Sequence, residues 1–262
     1  MIHFHGSPVS GEADSAWRFY QGRHVMVSFA NPEHLPIVAE VCESFCLDNG
    51  AFSAWKSGKS LDVKAYADWV EQWYQHPAFA WCVIPDVIDG TQRDNRMSID
   101  DWMTHLPSNN FRHHSVPVWH FHESTTYLAE LAERFPLVAL GSSGKWPTPG
   151  TESWWERVDE FMPAICDGKG RPRCKLHGLR MLNPEIFQAL PLASADSTNA
   201  AVNAGSVGRF GQYPPLEAWA RSCQIADRIE AYQSAAAWYK TERVERALFY
   251  EATVANSQSK KV

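Results

Sequence analysis

The chain lacks several features, and each absence excludes a class of protein. No apolar run approaches the ~20 residues of a membrane-spanning helix. Met1-Ile2-His3-Phe4-His5 offers no basic region followed by an apolar one, so no leader is signalled. No membrane association is expected, and the expected location is cytoplasmic, the host cytoplasm for a viral chain. The six cysteines, at 42, 46, 82, 166, 174 and 223, include no Cys-x-x-Cys pair, so neither a zinc ribbon nor a redox motif is signalled. Buried free thiols are expected instead. No Gly-x-Gly-x-x-Gly or phosphate-loop pattern occurs, and the glycines between Gly205 and Gly211 are wrongly spaced for one. Repeats, low-complexity tracts and linkers are missing too, so residues 1–262 read as one compact domain. A basic excess is also missing: 24 Lys+Arg against 30 Asp+Glu give a net charge of −6, which argues against a generally basic nucleic-acid coat. Lys169, Arg171, Arg173, Lys175 and Arg180 are concentrated locally, either as a phosphate-contacting patch or as a solvated loop. Lys260 and Lys261 close a polar tail.

What is present reads as an α/β enzyme. Twelve tryptophans imply extensive aromatic packing, or aromatic surface kept for flat ligands. Short apolar runs predict strands over His24–Ala30, Ser44–Asp48, Ala80–Asp86, Val116–Phe121, Leu137–Gly141, Lys175–Met181, Leu192–Asp196 and Ser206–Phe210. Amphipathic spacing predicts helices over Asp62–Gln75, Asp94–Leu106, Ser124–Phe135, Thr151–Ile165 and Pro184–Leu190, with longer ones near Pro215–Tyr239 and Thr241–Val254. Ser124 and Asn183 read as N-caps, with Pro184 at the first helical position. Eight alternating strands and helices point to a (β/α)8 TIM barrel. Ile2–His5 would be a ninth strand or the first. A doubly wound open sheet is the competing architecture.

In such a barrel the C-terminal ends of the strands face the active site. Those ends carry Asp48, Asp86, His120 or His122, Gly141, Arg180 and Asp196. Several carboxylates there need work or partners, although any one Asp could simply cap a turn. Gly50 permits a tight turn after Asp48, and Phe52 is a candidate to stack on a planar ligand, with core packing as its default role. Small residues around Asp196 leave room for a nucleophilic carboxylate to reach a sugar carbon.

The segment Asp48-Asn49-Gly50-Ala51-Phe52 resembles the Asp-Ser-Gly-Gly-Phe segment of tRNA-guanine transglycosylases, which carries their acid/base aspartate. Lys175-Leu176-His177-Gly178-Leu179-Arg180-Met181-Leu182-Asn183-Pro184-Glu185 is similar to that family's strand and Pro-Glu helix start. Leu140-Gly141-Ser142-Ser143-Gly144 resembles its base-contacting turn. The resemblance spans residues 24 to 211 and is closest to the DNA-modifying, DpdA-like branch. It implies Asp196 as nucleophile, Asp48 as proton-transfer partner, and Asp86 reading the guanine edge. Gly141, Ser142, Phe52 and His120 would lie around the base. Arg171, Arg173, Lys175 and Arg180 would bind the polymer. The implied partners are DNA, with tRNA second, and a free 7-deazaguanine such as preQ0. Asn49 and Ala51 depart from the usual motif. After Asp196 only Cys223 remains of the Cys-x-Cys-x-x-Cys zinc site of tRNA-acting members, so neither that metal nor another cofactor is expected.

Three other readings stay open. His3-Phe4-His5 and His120-Phe121-His122 each place two imidazoles on one strand face, and with His177 and Asp196 they suggest a metal-dependent hydrolase. A nucleic-acid-binding barrel without turnover is another reading. A hydrolase using water in place of the incoming base is the third.

Overall fold

The computed structural model describes residues 1–9, 13–105 and 109–240. The elements run β1 Ile2–Gly6, α1 Ala13–Tyr20, β2 His24–Ser28, α2 Leu35–Val41, β3 Ser44–Asp48, α3 Ala51–Lys56, α4 Val63–Trp73, β4 Phe79–Val83, α5 Gln92–His105, α6 Asn109–Arg112, β5 Ser115–Val116 and β6 Val118–His120. There follow α7 Thr125–Arg134, β7 Leu137–Gly141, α8 Glu152–Ile165, β8 Lys175–Gly178, α9 Pro184–Phe187, β9 Ser194–Ser197, α10 Asn199–Asn203 and α11 Ala218–Glu230. The helix expected at Thr241–Val254, and Lys260 and Lys261, lie outside the described residues.

All strand pairings are parallel, in the order β5-β4-β3-β2-β1-β9-β8-β7-β6. The two ends of that order are separated in the chain by Pro117 alone. Val116 O accepts from Ile84 N on the β4 side, and Pro117 O accepts from Ala139 N on the β7 side, each at 2.9 Å. The sheet therefore returns on itself as a nearly closed, TIM-barrel-like parallel barrel flanked by helices. With β5 and β6 taken as halves of one stave it has eight staves. The expected single strand Val116–Phe121 is interrupted because proline has no N–H to give the ladder.

Two expectations about strands change. Ile2–Gly6 is a full member, paired between β9 and β2. Val207–Phe210 is a short 3-10 turn, not the strand expected at Ser206–Phe210. With β1 in the ring no edge remains for that segment, and Gly205, Gly208 and Gly211 make it a poor strand. The caps behave as their chemistry predicts: Ser124 accepts from Tyr127 N, and Asn183 from Glu185 N with Pro184 beginning the helix.

Two apolar layers follow from the two-residue period of the strands. Phe4, Met26, Cys46, Trp81, Val83, Val116, Val118 and Ala139 fill the barrel. The alternate residues, among them Val25, Phe45, Leu47, Trp119, Phe121, Val138 and Leu140, pack against the helices. Burying each such large side chain contributes roughly 1.5–3 kcal/mol. The tryptophans mostly serve this packing, Trp119 and Trp154 being fully buried. His3 and His5 share the outer face of β1, where they meet Tyr232 O at 3.0 Å and Glu230 Oε1 at 2.8 Å. Glu230 also holds Arg23 at 2.7 Å, which ties α11 to the barrel wall.

Candidate active site

Strand alternation brings the polar residues to one mouth. On β3, Cys46 points into the barrel and Leu47 outward, so Asp48 turns in at the C-terminal end. On β6, Val118 points in and Trp119 out, which turns His120 in. On β9, Ala195 faces the helices, leaving Ser194 and Asp196 on the inner face. Gly141 ends β7 beside them, and Asp86 follows β4 by three residues.

Asp48 is held by its neighbours in sequence and sheet. Its Oδ2 accepts from Ser28 Oγ at 2.8 Å and from Gly50 N at 3.1 Å. Gly50 has φ 76°, and a Cβ there would come 3.0 Å from Ala30 N, so the turn requires glycine. A part of Asp48 reaches solvent at the mouth, yet protein surrounds its carboxyl closely. That enclosure pushes the carboxyl up to about 6. The charges of Asp196 and Asp86 add to the effect, while the Ser28 and Gly50 donors oppose it. A carboxyl titrating there can both give and take a proton near neutrality.

Asp196 is buried and asymmetrically bound. Both of its donors converge on Oδ1: Arg180 N at 2.9 Å and His177 Nε2 at 3.3 Å. Register places His177 beside Ser194, whose hydroxyl meets Nδ1 at 2.8 Å and orients the ring. Trp81 packs edge-on against the same imidazole at 4.8 Å. Both contacts leave Oδ2 without a hydrogen-bond partner among the described residues. Arg180 adopts φ 59°, a left-handed conformation rare for residues other than glycine, and this aims its amide at the carboxylate.

A third group comprises Asp86, Asn49 and His120. Asn49 Nδ2 donates to Asp86 Oδ1 at 2.7 Å and to Ile84 O at 2.9 Å. His120 Nε2 lies 2.8 Å from Asp86 Oδ2, within ion-pair distance when the ring is protonated. Burial opposes charge on His120, yet Asp86 outweighs it and leaves the imidazole above its ordinary value. Glu123 Oε2 accepts from His120 N at 2.8 Å, and buried Arg157 binds the carbonyls of Phe121 and Glu123 at 2.8 and 2.6 Å, fixing this turn. A Cβ on Gly141 would meet Val118 Cγ1 at 3.1 Å and His120 Nδ1 at 3.2 Å, so glycine makes room for the imidazole. His122 is committed elsewhere, to Ser143 Oγ and Gly90 O, both at 2.8 Å.

No family model and no curated protein matches this chain. The barrel mouth brings Asp48, Asp86, His120, Gly141, Arg180 and Asp196 together at the strand ends. Ser142 is adjacent, but its hydroxyl accepts from Trp154 Nε1 at 2.9 Å. Phe52 lies on the rim, 40% exposed, with the Arg180 guanidinium 4.5 Å from its ring centre. Arg171, Arg173 and Lys175 are not part of this group. They precede or begin β8, so they lie at the opposite end of the barrel, where Arg173 pairs with Glu133 at 3.6 Å. Four residues that support the carboxylates, Ser28, Asn49, His177 and Ser194, carry no motif signal for that role. His177 and Ser194 become legible only once the β8–β9 register is known.

The two His-x-His pairs do not converge. His3 and His5 face α11 while His120 faces the mouth, and among the described residues no three His, Cys, Asp or Glu side chains form a group able to hold a metal. Nor is any helix among those residues long and apolar enough to cross a membrane.

Proposed function

We propose that this chain is a pentosyltransferase that replaces guanine in DNA with a 7-deazaguanine base such as preQ0, through a covalent glycosyl intermediate on Asp196. One observation carries the reading: the mouth holds two carboxyls with divergent settings. Asp48 is tuned to exchange protons, and Asp196 is clamped through Oδ1 with Oδ2 free. Two differentiated carboxyls are what retaining displacement at an anomeric carbon requires.

In the first half-reaction Asp196 Oδ2 attacks C1′ as the bond from C1′ to the guanine nitrogen breaks. Asp48, protonated, delivers its proton to the departing base. His177 Nε2–H and the Arg180 amide stay on Oδ1, which becomes the ester carbonyl oxygen. In the second half the incoming base loses its ring N–H proton to Asp48 and attacks C1′, freeing Asp196. Both carboxyls end as they began, and the sugar configuration is retained. Beyond the lone pair that Asn49 occupies and the oxygen facing His120, Asp86 keeps acceptor capacity and would accept from the guanine N1–H and exocyclic amine. A target within a duplex must first leave the stack.

Incorporation of labelled guanine and labelled preQ0 into DNA and, separately, into tRNA tests the reading, with wild type and Asp196→Ala. Label entering DNA with wild type alone is expected. Label entering only tRNA would change the polymer, and none in either would remove the exchange reading.

A further inference from the structure

Arg180 and Phe52 stand on opposite sides of the barrel. In the ring of staves, β3 and β8 are separated by β2, β1 and β9 one way, and by β4, the β5–β6 stave and β7 the other. The Arg180 side chain thus reaches from the turn after β8 across the mouth and lays its guanidinium over Phe52 on α3. Beside Phe52 is Trp55, 5.8 Å away between ring centres and 47% exposed. Among the described residues its indole N–H has no partner, and it touches no ring besides Phe52. Lys56 and Lys59 follow on the same exposed segment, and neither forms an ion pair among the described residues. The exposed part of that indole and the two lysines remain open to a further partner. That combination suits an unpaired nucleic-acid strand, whose bases stack on aromatic faces while cations track its phosphates.

We infer that α3 and Arg180 form a rim platform for an unpaired stretch of the DNA strand beside the target nucleotide. Trp55 stacks on a flanking base, Lys56 and Lys59 meet phosphates on the outer side, and Arg180 meets one across the mouth. This rests on the base-exchange reading and goes beyond it. It makes the substrate a locally opened strand and moves the polymer contacts from the Arg171–Lys175 stretch to the opposite end of the barrel. It also accounts for the rim position of Phe52, as the seat that holds Arg180 in place.

The test uses oligonucleotides of repeating guanine–2-aminopurine steps as single-stranded DNA, single-stranded RNA and blunt duplex DNA, bound to the whole chain. Binding of single-stranded DNA should quench the 2-aminopurine emission. Trp55→Ala should abolish that quench and weaken binding roughly 5- to 150-fold. The double variant Lys56→Ala/Lys59→Ala should keep the quench but lower the slope of log affinity against log salt by about 1.4, or about 0.7 per lost phosphate contact. Circular dichroism checks that both variants remain folded, and both changes are at exposed positions. Unchanged affinity and quench in Trp55→Ala, or duplex binding as tight as single-strand binding, would overturn the inference. So would tighter binding of the RNA strand. Quenched binding without base exchange would uphold the platform while removing the transglycosylase reading. Exchange indifferent to Trp55→Ala would do the reverse.

Discussion

Ser28→Ala removes a single hydroxyl and should shift the pH dependence of base release. Ser28 Oγ donates to Asp48 Oδ2 at 2.8 Å, and the bond favours the ionised carboxyl against the burial that drives it up to about 6. A hydrogen bond to a charged group is worth roughly 1.5–3 kcal/mol, and one pH unit corresponds to about 1.4 kcal/mol. Water at the mouth can replace part of the lost donor, so the lower end applies, a shift of about one pH unit upward. In the proposed first half-reaction Asp48 is the acid, so release should fall as pH rises past its titration. The assay is single-turnover release of labelled guanine from DNA with no incoming base, which isolates this step. Wild type should lose activity above about pH 6. Ser28→Ala should carry that limb about one unit higher and release guanine up to about tenfold faster on the alkaline side. Asp48→Asn should abolish the limb and slow release by roughly 10²- to 10⁴-fold. An unmoved limb in Ser28→Ala would refute Asp48 as the proton donor.

Other consequences concern stability and positioning. Because the folded state raises Asp48 to about 6, that carboxyl contributes stability below about pH 4 which is lost as pH rises through 6. Asp48→Asn should therefore be more stable than wild type by about 1–2 kcal/mol at pH 7 relative to the difference at pH 4, read by denaturant melts at both. His177→Leu removes one of two donors to Asp196 Oδ1, and at 3.3 Å the loss should be about tenfold in kcat with little change in KM. His177→Gln should restore most of it, and a KM effect instead would contradict a positioning role. Burial would raise Glu230, but His5 and Arg23 hold it down to about 2. Its stabilisation is present above about pH 4.5 and is lost as pH falls towards 2. Allowing for its partial exposure, Glu230→Gln should cost about 1–2 kcal/mol at pH 7 and little at pH 2, measured by thermal melts across that range.

The apolar periodicity was enough to read the parallel barrel, because strands covered on both faces must be nearly continuous hydrophobics. It could not count the staves. Ile2–Gly6 carries two outward histidines whose partners, Tyr232 and Glu230, lie more than two hundred residues away, so nothing local identifies it as a core strand. Helices α1 and α2 are short, and Pro36 weakens the signal of the second. Asp48, Asp86 and Asp196 were legible because strand direction alone delivers them to one end. The same rule places Arg171, Arg173 and Lys175 at the other end, since they precede β8, and charge clustering in sequence carries no such direction. The selection of His120 over His122 depended on which side of β6 faces inward, and Val118 in the barrel with Trp119 outside decides it.

Arg180 marks the limit of reading residue types alone. A left-handed backbone there costs on the order of 1–3 kcal/mol for a residue with a Cβ, and glycine would remove most of that cost. The strained conformation aims the amide at Asp196 Oδ1, a function glycine could perform equally well. What glycine cannot supply is a guanidinium on Phe52, across the diameter of the mouth. An exposed contact of that kind contributes only about 0.5–1 kcal/mol, too little to offset the strain by itself. Stability therefore does not account for arginine at this position. On the base-exchange proposal the guanidinium would meet a phosphate beside the extruded nucleotide, a partner that suits a planar cation poised over the site.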